Sequence, residues 1–299
     1  MFQKKSLVCV IVSYILWGLL PVFWKLLAAV DSVYVLFSRV VWSLVFSFLL
    51  LLFTKRLSLL KGLWKNKKIL GMAFLAGVTV CINWGSYIWA VNNGHLLDAS
   101  FGYYLNPLLV VLAGFLVFRE RPSKGEWTAI LLSAAGVLYG IFASGTVPVL
   151  ALIIGGSFAI YGMIKKLIPL ESDISLFVET ALVTPIALPI LIAMDVSGKG
   201  SAGILTGPAV LLLPLAGVIT GVPLLLYAKG VKGIPYYLTG IIMYLNPTIQ
   251  FLMSIFLYKE PFSQYQLVTF GFIWLGIFIL IISGMQKKKA LTPQNSLSS

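Results

Sequence analysis

The sequence YLNP occupies residues 104–107 and returns at residues 244–247, a shift of 140 residues. The same ungapped shift brings Glu120 onto Glu260 and Lys25 onto Lys165. Matched Leu or Gly residues mean little in a chain that is 60% hydrophobic, but an Asn-Pro inside an apolar run, followed by a Glu at identical spacing, is hard to reach by chance. The chain therefore contains one unit twice, and a repeat of this length is typical of the halves of a membrane transporter.

The composition predicts a membrane protein. The mean hydropathy is +1.00 and only 10% of the 299 residues are charged, which is too little polar surface for a soluble globule of this size. One crossing of a bilayer needs about 20 apolar residues. Ten segments of that kind, five in each copy, have approximate bounds of 6–27, 33–54, 69–92, 98–118, 125–143, 147–165, 174–194, 209–230, 236–258 and 265–284.

The charges predict the orientation of these segments. Five crossings per copy make the second copy enter the membrane from the opposite side, so the repeat must be inverted. If the N-terminus is cytoplasmic, 18 of the 22 Lys and Arg residues lie on the inner side, Lys25, Lys199 and Lys259 lie on the outer side, and Arg39 lies within a helix. Such an asymmetry indicates, by the positive-inside rule, a multi-pass protein of the cytoplasmic membrane with both termini in the cytoplasm.

Several other classes of protein are disfavoured. The net charge of +13 is distributed along membrane edges and not on one face, which argues against nucleic-acid binding. The apolar run after Lys4 and Lys5 is too long for a cleaved signal peptide. Cys9 and Cys81 both fall in apolar segments and are expected to pack, without forming a disulfide or metal site. His95 is the single histidine, and the chain has no P-loop and no Gly-x-Ser-x-Gly, so we expect neither an enzyme nor a cofactor.

The sequence resembles the RarD-like permeases in the EamA-type branch of the drug/metabolite transporter superfamily, over essentially the whole chain. The resemblance is carried by Trp17-Gly18, Pro21 and residues 23–25 in the first segment, by Arg39 and Trp42 in the second, by both YLNP sequences, and by Glu120 and Glu260. It implies an all-α fold of ten helices in two inverted five-helix repeats at 1–145 and 146–285. It also implies a central cavity lined by helices one, three, four, six, eight and nine, with alternating access through rocking of the two halves. The polar C-terminal sequence predicts a disordered cytoplasmic tail at 286–299.

Charges within the apolar segments are the leading functional candidates, because a charge at the centre of a bilayer costs about 2.5 to 3.5 kcal/mol on insertion scales. Arg39 corresponds to Glu179 under the repeat, so the two side chains should lie near opposite membrane faces. We hypothesise that each controls one vestibule. The alternative is a structural ion pair for each, Arg39 with Asp98 or Asp31, and Glu179 with Lys165 or Lys229.

Other polar residues predict a central binding site. Asn83 and Tyr87 are four residues apart and share a helix face, although Asn83 could instead form an interhelical hydrogen bond. Asn106 and Asn246 precede the prolines at 107 and 247, where they could bind substrate or satisfy the broken helix. The complete set predicted to bind substrate is Trp17, Arg39, Asn83, Tyr87, Tyr103, Asn106, Glu179, Tyr244 and Asn246.

These observations predict a secondary transporter that moves a small metabolite or drug through a lipid bilayer, with export as the expected direction. Either the substrate gradient or a proton at Glu179 would drive it. Uptake by the same fold is the alternative, and a scaffold without transport is a third. The spacings Gly136-x-x-x-Gly140 and Gly217-x-x-x-Gly221 favour close helix packing and are also compatible with a homodimer.

Overall fold

The computed structural model describes residues 3–92, 96–144, 149–257, 259 and 264–290, and the side chains of residues 90–92, 96–104, 144, 254, 266, 280, 281 and 283–290 lie outside this description. Every regular element in the described part is helical, which confirms the all-α fold. The helices are α1 Lys4–Leu26, α2 Ser32–Phe53, α3 Lys67–Asn92, α4 Leu96–Leu116, α5 Lys124–Ser144, α6 Val149–Leu167, α7 Ser172–Val196, α8 Leu212–Gly230, α9 Tyr236–Met243, α10 Leu245–Phe256 and α11 Gln264–Ala290.

Seven stretches of helix within the described residues are long and apolar enough to cross a membrane. They are Lys4–Leu26, Ser32–Phe53, Lys67–Trp89, Lys124–Ala143, Val149–Leu167, Ser172–Val196 and Gly207–Gly233. The apolar stretches Leu105–Leu116 and Leu267–Ile279 are shorter. The protein is therefore a multi-pass membrane protein, and the count of ten crossings in two inverted repeats stays a prediction.

Local sequence explains several helix ends. Asp31 caps α2, where its carboxylate accepts hydrogen bonds from the backbone N–H groups of Val33 at 2.8 Å and Tyr34 at 3.3 Å. At the start of α5, the backbone N–H of Ser123 donates to Glu126 Oε2 at 2.6 Å, and the backbone N–H of Glu126 meets Ser123 Oγ at 3.5 Å. This reciprocal pair is a capping box, which satisfies two N–H groups that the helix itself cannot bond.

The helices of the first copy pack mainly against helices of the second. α2 packs on α7 and α8, α3 on α6 and α7, α4 on α6 and α9, α1 on α8 and α10, and α5 on α11. The 140-residue shift relates the two copies, and exchanging them leaves this set of pairings unchanged. The pairs α2–α7, α4–α9 and α5–α11 map onto themselves, and the others exchange with one another. The core therefore lies between the copies and not within each of them.

Glycines allow the closest of these approaches. A Cβ at Gly217 would overlap Trp42 of α2, and a Cβ at Gly221 would come within 2.6 Å of Phe46. At Gly136 in α5, it would come within 2.8 Å of Phe272 in α11. The predicted glycine spacings thus serve helix packing inside one chain.

The two segments that contain the YLNP sequences differ. α4 continues through Pro107, whereas the predicted segment 236–258 is two helices, α9 and α10, separated at Tyr244. α11 continues to Ala290, so residues 286–290 of the predicted tail are helical. Lys287, Lys288 and Lys289 favour this extension, because lysine is a good helix former and is stabilising near a helix C-terminus. The predicted boundary between the copies at 145/146 lies outside the described residues.

Candidate functional site

A cavity of about 580 Å³ lies between the two copies. A volume of this order is typical of small-molecule sites in proteins. Its described lining comes from α1, α2, α3, α4, α6, α9 and α10 and from the turn after α1. The lining residues are Trp17, Leu20, Pro21, Trp24, Lys25, Leu27, Ala28, Val30, Ser32, Val35, Arg39, Asn83, Trp84, Tyr87, Ile88, Asn106, Phe158, Met243, Asn246 and Gln250.

Arg39 is held rigidly in the cavity wall. Its guanidinium carbon lies 4.4 Å from the ring centroid of Trp24 and 4.0 Å from that of Trp84. Its Nε donates a hydrogen bond to Thr220 Oγ1 at 3.1 Å. Cation–π contacts with two indoles stabilise a charge that would otherwise be costly between apolar helices. The guanidinium is thus fixed in position before any ligand enters.

Three asparagines bring amide groups to the same cavity. Asn83 Nδ2 donates to the backbone carbonyl of Ile154 at 2.6 Å, so Asn83 also joins α3 to α6. Asn246 Oδ1 accepts a hydrogen bond from Gln250 Nε2 at 2.7 Å. Asn106 is only 2% exposed, and within the described part of the chain no donor reaches its Oδ1. A buried acceptor without a donor is costly, which makes Asn106 Oδ1 a position for a ligand or water to bind.

The cavity reaches the surface at one end and is closed at the other. Lys25 and Ala28, at the end of α1, are exposed. Below Trp17, towards the N-terminus of α1, lies a buried aromatic layer. Tyr14, Tyr161 and Tyr227 pack with ring centroids 6.0 Å (Tyr14–Tyr227) and 6.1 Å (Tyr161–Tyr227) apart. This layer separates the cavity from the end of the molecule that is predicted to be cytoplasmic.

Glu120 joins the two copies at the closed end. Its Oε1 accepts the backbone N–H of Tyr236 at 2.7 Å, and its Oε2 accepts that of Tyr237 at 2.9 Å. Lys166 Nζ lies 3.6 Å from Glu120 Oε1. A carboxylate of the first copy therefore caps the N-terminus of α9 in the second copy, where the helix dipole favours negative charge. We call this arrangement the Glu120 clasp.

Glu179 lies outside the cavity lining, in a buried ion pair. Its Oε2 lies 2.9 Å from Lys165 Nζ, which also donates to Ser175 Oγ at 2.8 Å. The side chains of Lys165 and Glu179 are 1% and 2% exposed. The structure therefore contains the Lys165 partner that was the structural alternative for Glu179, and Lys165 is an interior residue, not a membrane-edge one.

The nine predicted binding residues do not all lie in one place. Six of them line the cavity: Trp17, Arg39, Asn83, Tyr87, Asn106 and Asn246. Tyr244, at the break between α9 and α10, is 1% exposed and packs in a separate cluster with Val137 and Phe270, and it is not part of the cavity lining. Glu179 forms the ion pair described above. The side chain of Tyr103 lies outside the described residues.

The set of predicted binding residues lacked several members of the lining. Trp24 and Trp84 hold Arg39 in place, Gln250 bonds Asn246, and Lys25 stands at the mouth. Gln250 could have been predicted to line the cavity, because it is a polar residue in an apolar helix and lies four residues after Asn246, on the same helix face. Nothing in the sequence identified the two indoles as the partners of Arg39, because that contact joins three helices.

Long apolar helices surrounding a cavity with polar groups in its wall define a multi-pass membrane protein. The model of the EamA-like transporter family matches residues 4–141 and again residues 146–282. The chain therefore belongs to the EamA-like transporter family, and its relatives identify it as a RarD-like permease.

Relatives of known sequence extend over nearly the whole chain. The "Uncharacterized transporter YojE" of Bacillus subtilis is 42% identical over 292 residues, which cover 96% of this chain and 97% of the relative. "Protein RarD" of Escherichia coli is 32% identical over 286 residues, covering 96% and 97%. A solved crystal structure that is 15% identical aligns with a TM-score of 0.72 over 95% of this chain and 99% of that one, which supports the fold alone.

Proposed function

We propose that the protein is a secondary transporter that exports a small metabolite or drug across the cytoplasmic membrane by alternating access through the central cavity. The observation that carries this proposal is a cavity of about 580 Å³, lined by both copies, open at one end and closed at the other. A site located between two repeats is typical of secondary transporters, in which each repeat moves against the other around the bound substrate.

The orientation follows from the predicted topology. The mouth at Lys25 and Ala28 lies at the end of α1 opposite the N-terminus, which is the outer end if both termini are cytoplasmic. The aromatic layer and the Glu120 clasp then close the cytoplasmic side. The described conformation is accordingly an outward-open state, and the inward-open state would require the clasp to separate.

The inward-open state would arise if each copy took the conformation that the other copy has in the described structure. When the residues of the two copies are exchanged by the 140-residue shift, the same helices still pair. This equivalence supports two inverted repeats that can each adopt the conformation of the other. The Glu120 clasp closes one end, and the repeat predicts the same role for Glu260 at the other end. No ATP-binding motif is present in the sequence, so a gradient must drive the cycle.

A comparison of metabolites tests the function and its direction. We expect one small molecule to accumulate inside deletion cells and in the medium of overexpressing cells. The reverse pattern would indicate uptake, and no change in any compound would favour the scaffold. Ala28→Trp, at the mouth, should abolish the effect of overexpression. Ile186→Trp, on the outer surface of α7 where Ile186 is 50% exposed, is the matched control and should leave it intact.

A further inference from the structure

The connection between α2 and α3, residues 54–68, is strongly basic. The helices on either side are both long and apolar enough to cross a membrane, so the connection lies at a membrane face. Residues 194–208 are its equivalent in the second copy, and they contain one basic residue, Lys199, and one acidic residue, Asp195. Residues 54–68 contain six basic residues and no acidic one, namely Lys55, Arg56, Lys61, Lys65, Lys67 and Lys68. We call residues 54–68 the basic connection.

Contacts with the helix bundle hold the backbone of the basic connection in place. Arg56 forms ion pairs with Glu171 at 2.6 Å and with Asp173 at 2.5 Å, at the start of α7. Three leucines of the connection pack against apolar side chains of α2, α3 and α7, namely Leu57, Leu60 and Leu63. The backbone is therefore positioned before any partner arrives, and less conformational freedom is lost on binding.

The outward side of the basic connection combines positive charge with apolar surface. The acidic residues 171 and 173 balance the charge of Arg56, whereas the five lysines of the connection are exposed. Leu59 and Trp64 are 47% and 48% exposed, and Trp64 lies between Lys61 and Lys65 in the sequence. Tryptophan beside basic residues is typical of the interface between a membrane and water, where the ring meets lipid and the cations meet headgroups.

We propose that the basic connection binds the headgroup of an anionic phospholipid, with the lysines around the phosphate and with Leu59 and Trp64 against the acyl chains. Clusters of lysine and arginine next to a membrane-spanning helix attract anionic lipids in this way. The headgroup of a zwitterionic lipid carries its own cation, which opposes binding to lysines. The exposed apolar pair favours a lipid over a free phosphate, because a small anion offers it no apolar partner. This site is separate from the central cavity and does not depend on the proposed function.

Lipid binding to the purified full-length protein in a neutral detergent tests this inference. Native mass spectrometry counts the bound lipids during titration with dioleoyl phosphatidylglycerol, which is anionic, or with dioleoyl phosphatidylcholine, which has the same acyl chains and no net charge. We expect the first bound phosphatidylglycerol at a concentration at least about tenfold lower than the first phosphatidylcholine. A rise in salt concentration should reduce this preference, because salt screens charges at an exposed surface.

Variants locate the site. The double variant Lys61→Gln, Lys65→Gln should weaken phosphatidylglycerol binding about tenfold or more and leave phosphatidylcholine binding unchanged. The double variant Lys61→Arg, Lys65→Arg keeps both charges and should retain the preference. Lys4→Gln, Lys5→Gln is the matched control, because it removes two exposed lysines on the same predicted side from outside the basic connection. Trp64→Ala should weaken the binding of both lipids by the same factor, since it removes apolar contact and no charge.

Four results would overturn the lipid site. They are equal binding of the two lipids, unchanged phosphatidylglycerol binding in Lys61→Gln, Lys65→Gln, an equal loss in the Lys4→Gln, Lys5→Gln control, and displacement of the lipid by millimolar glycerol 3-phosphate. The third result would show a general effect of net charge, and the fourth a site for small anions. All the substituted lysines are exposed, so the variants should unfold at the same temperature as the unmodified protein in phosphatidylcholine, and this measurement confirms that they fold.

Discussion

At the scale of the residue, the burial of the Lys165–Glu179 pair favours a structural role for Glu179. Both side chains are nearly inaccessible, and their contact of 2.9 Å is supported by Ser175. The sequence favoured a vestibule role for Glu179, since a charge in an apolar helix usually marks a functional site. Its burial beside Lys165 instead predicts that its removal destabilises the protein.

We predict that Glu179→Ala lowers the free energy of unfolding by about 3 to 5 kcal/mol, because it leaves the Lys165 charge buried without its carboxylate. Thermal unfolding of purified protein in detergent measures the change. The double variant Lys165→Met, Glu179→Met should recover most of the loss, as paired apolar replacements often do. An unchanged unfolding temperature in Glu179→Ala would contradict the structural role.

At the scale of the element, the orientation of each helix decides which side chains reach the cavity. Asn83 and Tyr87 are four residues apart and both line it. Tyr244 lies at the break between α9 and α10, and Asn246 lies in the first turn of α10; only Asn246 lines the cavity. The shared face of Asn83 and Tyr87 could be predicted from spacing. Which face of each helix points inward could not, because it depends on the packing of neighbouring helices.

Helix α6 must lie close to two tyrosines at the closed end. A Cβ at Gly162 would overlap the hydroxyl groups of Tyr227 and Tyr236, whereas one at Gly156 meets nothing within 4 Å. We predict that Gly162→Ala lowers the free energy of unfolding by about 1 to 3 kcal/mol through overpacking. Gly156→Ala, in the same helix, should be neutral or stabilising by up to about 1 kcal/mol. Equal unfolding temperatures for the two variants would show that this packing is incorrect.

The Glu120 clasp predicts a conformational effect. Glu120→Ala removes the acceptor for two backbone N–H groups of α9 and should favour opening of the cytoplasmic side. The repeat predicts that Glu260→Ala favours opening of the outer side. Thiol labelling of Ala28→Cys, in a background without Cys9 and Cys81, should slow in the first variant and quicken in the second. A change in the same direction for both would contradict the opposed roles.

At the scale of the whole molecule, hydropathy and charge predicted where the helices lie along the chain. Apolar length and Lys/Arg clusters are properties of local sequence, so the segment ends agree with most helix ends to within a few residues. The break at Tyr244 and the partners of Arg39 and Glu179 could not be predicted, because they depend on contacts between the two copies. The repeat nevertheless indicated which positions of the two copies correspond.

The central claim is that one cavity opens alternately to the two sides of the membrane. Met243 lies in its lining at the end of α9 and is 4% exposed, so a cysteine there samples the deep part of the cavity. Lys199→Cys and Lys124→Cys serve as controls, expected to react only from the outside and only from the cytoplasmic side, respectively.

The most direct measurement is the reaction of Met243→Cys, in the background without Cys9 and Cys81, with a membrane-impermeant thiol reagent in right-side-out and in inside-out vesicles. We predict labelling from both sides, with Glu120→Ala increasing the rate in inside-out vesicles and decreasing it in right-side-out vesicles. Labelling from one side only, unaffected by Glu120→Ala, would contradict alternating access through this cavity.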